Sequence, residues 1–110
     1  MAFKSIHRGA RISPTKARLV ADMIRGLPAD EALAVLQVSK RRAAVLIRKI
    51  LDSAMANADQ KDVDPRQLVV IDARVDSGPT MKRWQPKDRG RAHPIAKRTS
   101  HITVEVAPLL

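Results

Sequence analysis

The chain has no cysteine and no tyrosine, one phenylalanine and one tryptophan. Lack of cysteine excludes disulfides, thiolate zinc sites and cysteine nucleophiles. With aromatics at 2% of 110 residues, any core must be assembled from Ala, Val, Ile and Leu. The four glycines form no phosphate-cradling loop, and Ser77-Gly78 resembles no nucleophile elbow. No apolar run approaches the roughly 20 residues that span a bilayer, and the opening MAFKSIHRGAR lacks the apolar stretch of a signal peptide, so a soluble cytoplasmic protein is expected. His7, His93 and His101 stand far apart with no ligand spacing, and the acids are scattered along the chain. We therefore expect no metal, no cofactor and no catalytic site.

Acid is also scarce. Twenty-one Lys and Arg face eleven Asp and Glu, a formal charge of +10. Such a balance destabilises a compact state by self-repulsion unless a polyanion compensates it. Nucleic acid is the first candidate, because each neutralised phosphate releases condensed counterions; an anionic membrane is the second. The length suits one compact domain, residues 1–110, and is too short for two.

Along the chain, Lys4, Arg8 and Arg11 occur before any acid, in a segment that reads as a basic extended arm or an edge strand. Ser13 can cap a helix with Pro14 in its first turn, and Ala17, Val20, Ala21 and Ile24 share one face before Gly26, predicting a helix over 14–25. Asp30 and Glu31 open a short second helix ending near Val38. Ser39 can cap a third and longer one, in which Ala43, Leu46, Ile47, Ile50, Leu51, Ala54 and Ala58 keep a spacing of three and four. After a polar loop closed by Pro65 the period changes to two. Val69, Ile71, Ala73 and Val75 alternate with polar neighbours, as do Ile102, Val104 and Val106, predicting half-buried strands. The expected fold is α+β, three helices packed on a small antiparallel β-sheet.

Between those strands lies SGPTMKRWQPKDRGRAHPIAKRTS, too long and too basic for an ordinary turn. Lys82, Arg83, Lys87, Arg89, Arg91, Lys97 and Arg98 stand against Asp88 alone, a net of +6 over residues 82–98. Met81, Trp84 and Ile95 are scattered among them without a core-like period, and Pro86, Gly90 and Pro94 are expected to interrupt regular pairing. We expect two extended arms, a basic β-hairpin over 79–98, meeting near 87–90 with Trp84 close to the tip. Trp84 either stacks on an unpaired base, worth about 1–3 kcal/mol, or folds back on Met81 or Ile95.

SPTKARLVADMIRG, AVLIRKILDSAMANA and above all GPTMKRWQPKDRGRAHPIAKRTSHITV resemble the bacterial L-twenty-two family of the large ribosomal subunit. The likeness covers nearly the whole chain. It implies a monomer within the ribosome that binds large-subunit ribosomal RNA, assists its assembly and touches neighbouring ribosomal proteins. It also implies a long protruding hairpin that lines the nascent-peptide exit tunnel beside the nascent polypeptide. By position, the tunnel-lining residues are Met81, Lys82, Arg83, Lys87, Asp88, Arg89, Gly90 and Arg91, with 97–101 at the hairpin base. Trp84, Gln85 and Asp88 depart from the family pattern. The candidate RNA-binding residues are Arg8, Arg11, Lys16, Arg18, Lys82, Arg83, Trp84, Lys87, Arg89, Arg91, Lys97 and Arg98, with Lys40, Arg41 and Arg42 as a further patch or a plainly solvated one.

The competing reading is a helix-turn-helix DNA-binding protein, in which two short helices lead to a third bearing Arg41, Arg42, Arg48 and Lys49. A recognition helix would concentrate charge on one helical face, whereas the densest charge here follows Gly78 outside the helices. A membrane-active reading fails because the basic cluster has no amphipathic apolar face.

Overall fold

The computed structural model describes residues 2–87 and 91–108. In chain order the elements are β1 (Phe3–Ala10), α1 (Pro14–Ile24), α2 (Ala29–Val38), α3 (Arg42–Asp59), a 3-10 turn (Pro65–Gln67), β2 (Leu68–Ser77), β3 (Met81–Lys87), β4 (Arg91–Lys97) and β5 (Ser100–Pro108). β1, β5 and β2 form an antiparallel sheet in that order, and β3 and β4 form a two-stranded ribbon. The fold is thus α+β, with three helices and a three-stranded antiparallel sheet, and the N-terminal segment is an edge strand rather than a free arm.

α1 begins as its sequence dictates, with Ser13 Oγ accepting from the Lys16 amide at 3.4 Å and Pro14 in the first turn. Its buried face is Pro14, Ala17, Val20, Ala21 and Ile24. Past its end the chain docks on the outer edge of β2. The Gly26 amide donates to Val70 O and the Val70 amide to Leu27 O, each at 2.9 Å. That edge is thereby closed to pairing with another chain. α2 carries Asp30 and Glu31 in its first turn, where they complement the helix dipole.

α3 starts later than its sequence suggests. Its N-cap is Arg41, without a side-chain cap, and the helix proper opens at Arg42. Ser39 instead closes α2, its amide donating to Val35 O at 3.2 Å, while its Oγ accepts from the Arg41 amide at 3.4 Å. A serine committed to ending one helix cannot begin the next. Ala43, Ala44, Ile47, Ile50, Leu51, Ala54 and Ala58 form the buried face of α3.

The core joins these helical faces to Phe3, Leu68, Val70, Ala73, Val75, Ile102, Val104 and Val106. Among the described residues it is aliphatic apart from Phe3, and its many alanines let the helices approach the sheet closely. β2 departs from the expected phase: Leu68, Val70, Ala73 and Val75 are buried, whereas Ile71 is 49% exposed. The register against β5 shifts between Val70 and Asp72, so Ile71 is the extra residue of a bulge. One inserted residue moves every later side chain to the opposite face. Strict alternation through Val69 and Ile71 was therefore the wrong phase for the first half of the strand and the right one for the second.

Past the Gln60 C-cap of α3 the chain turns at Asp62, whose φ of +59° is left-handed, with the Val63 amide reaching back to Ala58 O at 3.2 Å. Aspartate bears a steric cost there that glycine does not, and its charge opposes the helix C-terminus. Asp62→Gly is expected to stabilise the chain by about 1 kcal/mol, raising Tm by about 4–8 °C. An unchanged or lower Tm in calorimetry would contradict this account of the cap.

Candidate nucleic-acid interface

β3 and β4 pair from Met81 with Lys97 to Lys87 with Arg91, without a shift of register. The prolines do not interrupt the ladder as their sequence suggested. Trp84 pairs with Pro94 and Pro86 with Ala92, two positions apart, so both prolines fall in one phase of the ladder. In the non-hydrogen-bonded phase a residue's N–H points away from its partner, and in a two-stranded ribbon away means off the edge. The missing donors therefore cost no pairing. Trp84 stands midway along β3 rather than near the tip, while Asp88, Arg89 and Gly90 lie outside the described residues.

The ribbon continues the β2–β5 pair. Ser77 pairs with Ser100, and the Gly78 amide donates to Thr99 O at 2.9 Å. The molecule measures 63 × 24 × 17 Å, with a radius of gyration of 16.8 Å. A compact domain of this length has about 13 Å. The difference is that of a body carrying a projecting element.

The base of the ribbon is tied to the body by polar contacts. Thr99 Oγ1 donates to Pro79 O at 2.5 Å, and the fully buried Ser100 hydroxyl donates to Ile12 O at 2.6 Å. His101 Nδ1 accepts from the Gly9 amide at 3.1 Å, which leaves the ring proton on Nε2. Gly9 has a φ of +72° and sits where the β1–β5 register shifts between His7 and Ala10, so the imidazole satisfies an amide turned out of the ladder. His101 lies on β5 and is partly buried. Its partner is 92 residues away, and no local pattern announces it.

Ala10 pairs with Ser100, and Ser100 binds Ile12, so the exposed Arg8 and Arg11 lie at the same end of the sheet as the exposed Lys97 and Arg98. Lys16 and Arg18, on the first turns of α1, are also exposed there. Arg18 Nε donates to Val75 O at 3.1 Å, and Val75 pairs with Ile102. Arg18 thus combines its charge with a structural task, capping the edge of β2, as Arg25 does through Ala73 O at 2.5 Å. The body bases expected from sequence are brought together around the hairpin base. Lys40, Arg41 and Arg42 are exposed on the α2–α3 connection and belong to a different surface.

Five of the eleven acids gather at one end of the fold. Asp64 directly precedes the 3-10 turn that leads into Leu68, Asp30 and Glu31 follow the Pro28–Val69 bridge, and Asp59 and Asp62 stand at the end of α3. Asn57 Nδ2 donates to Lys4 O at 3.4 Å, which sets that end of α3 against the start of β1. β2 starts at this end of the sheet and runs to the hairpin at the other. Five acids thus lie at the end opposite the hairpin, together with Lys61 and Arg66, while Asp76 lies beside the hairpin base.

A basic ribbon running off one end of the sheet, with further bases around its root, is arranged to enter a polyanion end-on. The family model for ribosomal protein L22p/L17e matches residues 5–107. The chain belongs to this family. The ribosomal protein L22p/L17e family is one of structural components of the large ribosomal subunit, in the cytoplasm, that bind ribosomal RNA and meet other ribosomal components; it is not a family of enzymes. Membership replaces the helix-turn-helix reading, and the packing gives the physical reason. In this L22p/L17e chain the apolar face of α3 is spent on the sheet, and the densest charge lies on the ribbon.

Proposed function

We propose that the chain acts as a single domain, 1–110, whose hairpin over 79–98 is threaded between segments of large-subunit RNA, while Arg8, Arg11, Lys16, Arg18, Lys97 and Arg98 hold the RNA around its base. Lys82, Arg83, Lys87, Arg89 and Arg91 contact phosphates along the hairpin, and Trp84 stacks on an unpaired base. Contacts of this kind read shape and backbone more than sequence. Met81, Lys82, Arg83, Lys87, Asp88, Arg89, Gly90 and Arg91 line the exit tunnel beside the nascent polypeptide. The protein enters as one copy and assists assembly by bringing RNA segments together. The observation that carries this reading is the concentration of seven bases against one acid over 82–98, on an element whose strands run off the sheet.

Photo-crosslinking residues placed at 11, 84 and 89 of the chain assembled into large subunits test it. Positions 11 and 84 are expected to link to large-subunit RNA, and position 89 to a stalled nascent chain. RNA links from position 11 alone would leave the body on the RNA and remove the hairpin from it.

A further inference from the structure

The joint between body and hairpin is more tightly built than a connection needs to be. Between the end of β2 and the start of β5 the chain is bridged by Gly78 N–H to Thr99 O, and Thr99 Oγ1 turns back to Pro79 O in the β2–β3 connection. Next to it His101 holds the bulge amide of Gly9, and Ser100 holds Ile12 O. Thr99 and Ser100 are buried, although they lie at the edge of the body. Gly78 closes the packing. A Cβ at that position would stand 2.6 Å from Thr99 Oγ1 and 3.1 Å from His101 Cε1, so the two side chains occupy the space that any other residue would need.

From these contacts we infer that Gly78, Thr99 and His101 are positioning residues that set the angle at which the hairpin leaves the sheet. The joint, rather than the hairpin's own sequence, decides where the tip comes to lie. This rests on the proposed insertion of the hairpin into RNA for its consequence, though not for its geometry. β1 is part of the same joint through Gly9, so Arg8 and Arg11 are held in a fixed relation to Lys97 and Arg98. The basic surface around the hairpin base is presented as one piece.

The leverage follows from dimensions. Relieving a 2.6 Å contact to an ordinary 3.4 Å displaces one strand by about 0.8 Å against a neighbour about 4.8 Å away, a rotation of about 10°. A seven-residue arm is about 23 Å long, so its far end moves by about 4 Å. That is comparable to the strand spacing itself, and enough to misplace phosphate contacts of hydrogen-bonding length.

Because the chain has no cysteine, spin labels can be placed at will. Labels on Asp52→Cys, on the exposed face of α3, and Lys87→Cys, at the end of β3, report the distance between body and hairpin in the full chain without RNA. With the native joint a single narrow distance distribution is expected. Gly78→Ala should move its centre by about 4 Å, and His101→Ala and Thr99→Ala should broaden it at least twofold without moving its centre. Combining Gly78→Ala with Thr99→Ala removes the nearest obstacle and should return the centre most of the way to native. If Gly78→Ala alone does not fold, by circular dichroism, the two broadening variants carry the test. Distributions unchanged in folded His101→Ala and Thr99→Ala proteins would overturn the inference, as would a native distribution as broad as theirs. RNA binding by the hairpin is read separately, by crosslinking at position 84. If that link is missing while the distances shift as expected, the joint stands and the RNA reading fails.

Discussion

Removing residues 82–96 is expected to lower the salt slope of binding to large-subunit RNA by about 4 units of log K per log salt. The deletion takes away Lys82, Arg83, Lys87, Arg89 and Arg91, and only Asp88 among the acids. Each phosphate contact contributes about 0.7 to 0.9 to the slope, so five contacts give about 4. Over a fourfold rise in salt, the full chain should then lose about two hundred-fold more affinity than the shortened one. The body should survive the deletion. The Gly78–Thr99 bond remains, with residues 79–81 and 97–98 between them, a length that closes hairpins commonly. The bases of the body, Arg8, Arg11, Lys16, Arg18, Lys97 and Arg98, also remain, so a residual slope is expected from the shortened chain. Titrations against random duplex DNA complete the measurement. An unchanged slope, with duplex DNA bound as well as ribosomal RNA, would remove the hairpin from the interface and leave the bases of α3 to explain the charge.

Most of the architecture was legible in the chain, because local chemistry decided it. Ser13 and Pro14 start α1, the three-and-four spacing from Ala43 to Ala58 makes the buried face of α3, and Ile102, Val104 and Val106 alternate inward on β5. What sequence misplaced was decided by competition or by a single inserted residue. Ser39 was claimed by α2 before it could serve α3, and Ile71 bulges out of β2. The prolines of the hairpin were misread for a related reason. Their effect depends on the phase of the ladder, which is a property of both strands together.

The interface was legible as charge and not as geometry. The density of bases over 82–98 pointed to the hairpin, but nothing in the local sequence paired His101 with Gly9 or Ser100 with Ile12. Nor could it show Thr99 and His101 filling the space beside Gly78. Arg18 looked like one more free base, yet part of its guanidinium is committed to Val75 O. Asp30, Glu31, Asp59, Asp62 and Asp64 looked dispersed because they come together only when β2 and the end of α3 are folded against each other. Contacts between residues so distant in the chain need the topology first.

The same topology makes α3 the most sensitive element. Ile47 is fully buried in the middle of its apolar face, in a core whose described residues include one aromatic side chain and many alanines. Ile47→Ala should cost about 3 kcal/mol, since a neighbourhood of small side chains has little with which to refill the space. A chain of this size has about 5–15 kcal/mol in total, and a charge of +10 works against it in the absence of a polyanion. At a urea dependence of about 1.5 kcal/mol per molar, the midpoint of unfolding should fall by about 2 M. Binding of RNA to the folded state alone, at a hundred times its Kd, returns about 2.7 kcal/mol. The variant with RNA should therefore unfold near the midpoint of the free native chain. A midpoint lowered by less than about 0.5 M would show that α3 is not the spine of the core. A variant that stays destabilised at saturating RNA would show that RNA binds the unfolded chain as well as the folded one. The thin core would then have to stand on its own contacts, because the polyanion that neutralises the +10 charge would give the folded state no advantage.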